Sequence, residues 1–185
     1  PNVVDVKLTA KAPARRGRRH LEVAYSSCGL CAKESVDEIR RKVAPVASTL
    51  TLSPDVLLAL IDRLLGAQPV FQATGGTHAV ALASPDGRVF LSAEDVGRHN
   101  AMDKVIGRAL LEKRKFGELV ALLSGRLSFE MALKAARAGL PILAAVSAPT
   151  TTAIDLAREL NLTLVGFVRD NRLNIYTHPQ RLGVG

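Results

Sequence analysis

With 185 residues, 48% of them hydrophobic and 23% charged, the chain has the size and composition of one globular domain with at most a small appendage, which excludes a disordered or low-complexity polymer. Two cysteines exclude a disulfide scaffold, and no apolar run approaches the ~18 residues that a bilayer span requires. A soluble, cytoplasmic protein without a secretory segment is expected, and only a net charge of +8 and the placing of the two cysteines point towards chemistry.

Residues 2–10 alternate apolar and polar, with Val4, Val6 and Leu8 on one side, and predict a half-buried strand. Residues 20–25 predict a second, with a basic connection between the two. Ser26-Ser27-Cys28-Gly29-Leu30-Cys31 follows, then a charged segment to Lys42. Ser53-Pro54 is a helix start, and Leu57, Leu58, Ile61, Leu64 and Leu65 continue at helical spacing to Gly66. Thr74-Gly75-Gly76-Thr77 reads as a glycine loop opening a strand over residues 78–83. Pro85-Asp86-Gly87 turns that strand into an antiparallel partner over 89–91.

Helices are predicted over 97–113, 128–138 and 150–160, and buried strands over 119–123, 142–146 and 162–168, with a last short strand over 173–176. Continuous apolar strands alternating with short helices imply an α/β fold, a mixed sheet with helices on both faces. The one candidate boundary precedes Ser53. It divides residues 1–52, the N-terminal strands and the Cys-x-x-Cys loop, from an α/β domain over 53–185.

The charge is uneven: residues 1–45 hold 10 of the 25 Lys and Arg but only 5 of the 17 acids. Its densest run is Arg15-Arg16-Gly17-Arg18-Arg19. Such a run reads as a solvated loop or as a contact for phosphate or an acidic protein surface. None of the seven aromatics interleaves with it, which argues against nucleic acid, where bases need a stacking platform.

Cys28 and Cys31 are spaced to share a metal, a disulfide or a transferred sulfur atom. Zinc needs four ligands, and His20, His78, His99 and His178 offer no pair at short spacing. No metal site is therefore expected within one chain. A thioredoxin-type motif fits the preceding strand but lacks its usual Trp. Sulfur carriage needs an exposed thiolate that takes up a sulfane sulfur and a second thiol beside it. Two inert buried cysteines are the structural alternative.

Three loops bring backbone N–H groups and hydroxyls to strand ends: residues 72–78 with Gly75, Gly76 and His78; Ser124-Gly125-Arg126; and Ser147 to Thr152, with Thr150 placed to cap a helix or a phosphate. Between Glu94 and Lys104, Asp95 can serve as a cap. Arg98, His99 and Asn100 crowd the same helix start, where cations oppose the helix dipole unless an anion is present. Zinc-hydroxide deamination is excluded, because Val80 stands where His-x-Glu needs its Glu and the Cys-x-x-Cys precedes the histidine.

Residues 26–31, 74–79, 94–104, 124–131, 147–153 and the terminal Asn174-Ile175-Tyr176-Thr177-His178-Pro179 together resemble the FdhD family, sulfur carriers required for formate dehydrogenase. They run in family order through nearly the whole chain. The resemblance implies a cytoplasmic sulfurtransferase with a cytidine-deaminase-like three-layer core, assembled as a homodimer. Members usually carry a further N-terminal portion, so residues 1–52 are expected to be the remnant of a longer region. It also implies that sulfur from a cysteine desulfurase is held as a persulfide on Cys28, with Cys31 as its partner. The cargo that receives it is the molybdenum (or tungsten) bis(molybdopterin guanine dinucleotide) cofactor, before that cofactor enters formate dehydrogenase.

By the same resemblance, a GDP-like guanine nucleotide end of the cofactor meets Gly75, Gly76, His78, Asp95, Arg98, His99, Asn100, Ser124, Gly125, Arg126, Ser147 and Thr150. Phe167, Val168, Arg169, Asp170, Asn171 and Arg172 form a further cofactor segment. Neither nucleic acid nor membrane is expected as a partner. The competing functions are a chaperone that holds the cofactor without moving sulfur, and a thiol–disulfide oxidoreductase.

Overall fold

The computed structural model describes residues 43–184. The strands expected over 2–10 and 20–25, the basic run and the Cys28–Cys31 loop lie outside the described residues. Six strands, β1 (His78–Ala83), β2 (Val89–Asp95), β3 (Val120–Leu123), β4 (Ile142–Ala145), β5 (Thr163–Arg169) and β6 (Arg172–Ile175), form one sheet in the order β2-β1-β3-β4-β5-β6. β3, β4 and β5 run parallel; β1 is antiparallel to both of its neighbours and β6 to β5. The mixed sheet expected from the hairpins and the alternating helices is therefore present.

Side chains alternate across a strand, and the two faces are covered by different helices. Ala79, Ala81, Val120, Leu122, Ile142, Ala144 and Val165 pack with Leu57, Leu60, Ile61 and Leu64 of α1 (Pro54–Gly66). Val80, Leu82, Ala121, Leu123, Leu143 and Leu164 face the other way. They meet Met102 and Val105 of α3 (Arg98–Leu111), Met131 and Ala135 of α4 (Phe129–Ala138), and Ala153 and Leu156 of α5 (Thr151–Glu159). Each fully buried leucine contributes about 1.5–3 kcal/mol of transfer free energy. The many alanines on strands and helices let the layers approach closely.

Residues 43–52, placed with the N-terminal part by the sequence division, pack on this core. Val46 N donates to Leu160 O and Leu52 N to Arg181 O, both at 2.8 Å, and both side chains are buried. Two elements differ from the expectation. β2 runs on from Leu91 to Asp95, because pairing with β1 carries its polar end along to the His78–Asp95 register. The stretch before the glycines is a short helix, α2 (Pro69–Thr74), with Pro in its first turn and Gly75 as a left-handed stop at φ 66°.

The β5–β6 turn places Asp170 and Asn171 at φ 52° and 56°, the paired positive values of a type I′ hairpin. Among the described residues, no helix is long and apolar enough to cross a membrane.

Candidate functional site

Because β3, β4 and β5 are parallel, their carboxyl ends, and the loops that leave them for α4 and α5, share one edge of the sheet, the usual ligand edge of an α/β fold. β1 runs the other way, so its start lies there too. Ala79 N donates to Ser124 Oγ at 2.9 Å, and Ser124 N to Ala79 O at 3.0 Å. β2 in turn sets Asp95 opposite His78, and α3 begins just beyond it. Gly125 is where these segments meet. A Cβ there would stand 3.3 Å from His78 Nδ1 and 3.8 Å from Arg98 Cδ. The absent side chain is what lets the histidine of β1 and the arginine of α3 share one place.

Most of the crowd between Glu94 and Lys104 is accounted for by bonds within the fold. Glu94 accepts from the backbone N–H groups of Val70 (3.0 Å) and Phe71 (2.7 Å) and from the Thr77 hydroxyl (2.8 Å), fixing α2 to the end of β2. Asp95 accepts from Gly97 N at 2.9 Å and from Asn100 Nδ2 at 3.1 Å, and pairs with Lys104 Nζ at 2.6 Å. The Lys104 ammonium, with the Gly97 N–H next, pulls its carboxyl down to about 2. Asp103 holds Lys134 of α4 at 2.5 Å. The sequence reading of Asp95 as a cap is thus replaced by a bracket that holds the start of α3 and occupies Asn100.

Two members of the crowd are left over. Among the described residues, the buried side-chain nitrogens and oxygens without a hydrogen-bond partner are Arg98 Nε, His99 Nε2, Ser128 Oγ and Arg181 Nε. The first three lie at the starts of α3 and α4, two helices in contact, and of these Ser128 Oγ has the Glu130 carboxylate as its hydrogen-bonding neighbour. His99 is 6% exposed, and its Nε2 stands 4.0 Å from Glu130 Oε2, beyond hydrogen-bond reach. Burial first, and the Arg98 charge second, push its imidazolium below the ordinary range, so the ring is neutral near pH 7. Neither helix start has a side-chain cap, since Gly97 has no side chain and Ser128 makes no cap bond. Unpaired N–H groups, two helix dipoles and Arg98 give the edge the character of an anion site.

The other candidates divide. Ser147 O accepts from Phe167 N at 3.2 Å, which carries the loop after β4 over the bulge in β5. Gly166 lies directly beneath that loop, where a Cβ would be 2.9 Å from Pro149 Cδ. Phe167 holds φ 54° with its ring partly exposed, a strained backbone for an aromatic residue. Arg126, Arg169, Asp170, Asn171 and Arg172 are exposed.

Three placements bear on the sequence reading. The Val168 side chain is fully buried in the α1-side core. The Thr150 hydroxyl accepts from Ala153 N at 3.2 Å and caps α5. Gly75 and Gly76 close α2, with Gly76 N donating to Thr74 Oγ1. Ser128 and Glu130 escaped the sequence reading, because a serine before a helix and an acid in its first turn read as an ordinary helix start. No cluster of metal-ligating side chains occurs among the described residues.

Residues 2–183 match the model of the FdhD/NarQ family. Curated relatives named sulfur carrier protein FdhD include those of Nocardia farcinica, 50% identical over 98% of this chain and 65% of its own length, and of Streptomyces coelicolor, 47% identical over 99% and 67%. The chain spans about two thirds of the length of these relatives. A crystal structure from Desulfotalea psychrophila, described as that of a formate dehydrogenase accessory protein, superposes with a TM-score of 0.72 at 33% identity, covering 78% of this chain and 62% of the other.

Proposed function

The chain belongs to the FdhD/NarQ family, and from that premise we propose that it carries sulfur for a formate dehydrogenase, in the cytoplasm and as a homodimer. The Cys28 thiolate attacks the terminal sulfur of a persulfide on a cysteine desulfurase. The donor's S–S bond breaks, the donor cysteine leaves as thiolate, and Cys28 holds the sulfur with no net oxidation. Attack of the Cys31 thiolate on Cys28 Sγ of that persulfide closes a Cys28–Cys31 disulfide and releases the outer sulfur as hydrosulfide to the bis(molybdopterin guanine dinucleotide) cargo, with molybdenum or tungsten as its metal. A thiol reductant then returns both cysteines.

At the described edge, Arg98 receives the phosphates of a guanine nucleotide end, with His99 buried behind it. His78, Ser124, Gly125, Arg126 and Ser147 border it, and Phe167 and Arg172 extend it along the β5–β6 hairpin. The observation that carries this reading is the meeting of two buried, unpartnered nitrogens, Arg98 Nε and His99 Nε2, with two helix starts that lack side-chain caps.

Mass spectrometry after incubation with a cysteine desulfurase and cysteine tests the carriage. The protein is expected to gain sulfur mass that a reductant removes, and Cys28→Ala to gain none. Full support of formate dehydrogenase by a variant lacking both cysteines would instead identify a chaperone that only holds the cofactor.

A further inference from the structure

We propose that an anion bound beside Arg98 makes His99 take up a proton and close on Glu130, so that ligand binding at this edge is coupled to protonation of the protein. The inference rests on the reading of the edge as an anion site given above.

The geometry is that of a contact poised but not made. His99 is 6% exposed, its Nε2 has no partner, and Glu130 Oε2 stands 4.0 Å away. Four charged groups face the ring: Arg98 and Asp103 from its own helix, Glu130 and Lys134 from α4. Two of them cancel, since Lys134 is held by both carboxylate oxygens of Asp103 at 2.5 Å. The balance at the ring is left to Arg98, which repels a proton, and Glu130, which attracts one.

Arg98 Nε is itself buried and unpartnered. An oxyanion hydrogen-bonded there neutralises the guanidinium and removes the repulsion. With that repulsion gone, Glu130 is the uncompensated charge left at the ring; its carboxylate, 26% exposed and beside the Ser128 hydroxyl, stands 4.0 Å from Nε2 and closes on it by rotation. The proton comes from solvent, and no bond other than N–H is formed.

GDP is the probe. Calorimetry near pH 7 in two buffers of different ionisation enthalpy counts the protons taken up on binding. The native chain is expected to take up more than His99→Gln, with Glu130→Gln in between. Its affinity falls as pH rises, by up to about tenfold per unit where uptake is complete. In the native chain, the NMR titration midpoint of the His99 ring is expected to move upward when GDP is added, a readout that needs no substitution. GDP binding with equal proton uptake in native and His99→Gln chains, or an unmoved His99 midpoint, overturns the coupling and leaves the site standing. Absence of GDP binding overturns the site reading and the coupling with it.

Discussion

The helices of this protein begin in two ways. α1 and α5 are closed by side chains, Ser53 Oγ accepting from Val56 N and Thr150 Oγ1 from Ala153 N. α3 and α4 begin at Gly97 and Ser128 with no such bond. The open pair gathers the two orphan nitrogens Arg98 Nε and His99 Nε2. α5 leaves β4 at the same edge as α4 but is capped by Thr150, so the helix-start N–H groups not taken by a side-chain cap at that edge are those of α3 and α4.

The comparison can be broken from either side. The largest effect is expected at Gly166. An alanine Cβ would meet Pro149 Cδ at 2.9 Å and Ser147 O at 3.1 Å, so Gly166→Ala should cost about 1–3 kcal/mol and lower the melting temperature. Gly125→Ala should act on the open side. Its Cβ, 3.3 Å from His78 Nδ1, displaces the groups around Arg98, and GDP affinity should fall severalfold, about 1 kcal/mol, with little change in melting. On the closed side, Ser53→Ala should cost about 1 kcal/mol of stability and leave GDP affinity unchanged, as a denaturant series beside a titration would report.

The smallest effects are those of pH. His99 is neutral and buried in the folded chain but titrates freely when unfolded. The unfolded state therefore binds the extra proton, and stability falls as pH drops through the ordinary histidine range. His99→Gln should flatten that part of the curve. Asp95, whose carboxyl lies at about 2, stabilises the fold above the usual carboxylate value, and that contribution is lost as pH falls towards 2. Asp95→Asn should shift acid unfolding to higher pH.

The elements were legible wherever periodicity carried them. The leucines of α1 and the apolar runs of β3, β4 and β5 predict what is seen, because burial on one or two faces writes itself into spacing. The polar end of β2 was not legible, since Ser92 to Asp95 are placed by pairing with β1 rather than by burial. α2 carries its signal in Pro69 and Gly75, but six residues are too few for a period. At the edge, the crowding of Arg98, His99 and Asn100 was visible. That Asp95 takes Asn100, and that Glu130 stands opposite His99, depends on the packing of α3 against β2 and α4, which no local pattern records. Val168 shows the converse, a segment read as a ligand contact whose alternate residue points into the core.

The most direct test of the account is a calorimetric titration of GDP into the native chain, Arg98→Ala and Ser53→Ala. The open ends predict binding by the native chain and by Ser53→Ala, and a loss of about ten- to a hundredfold in Arg98→Ala, the worth of a hydrogen bond to a charged group. Equal affinity in all three would contradict it.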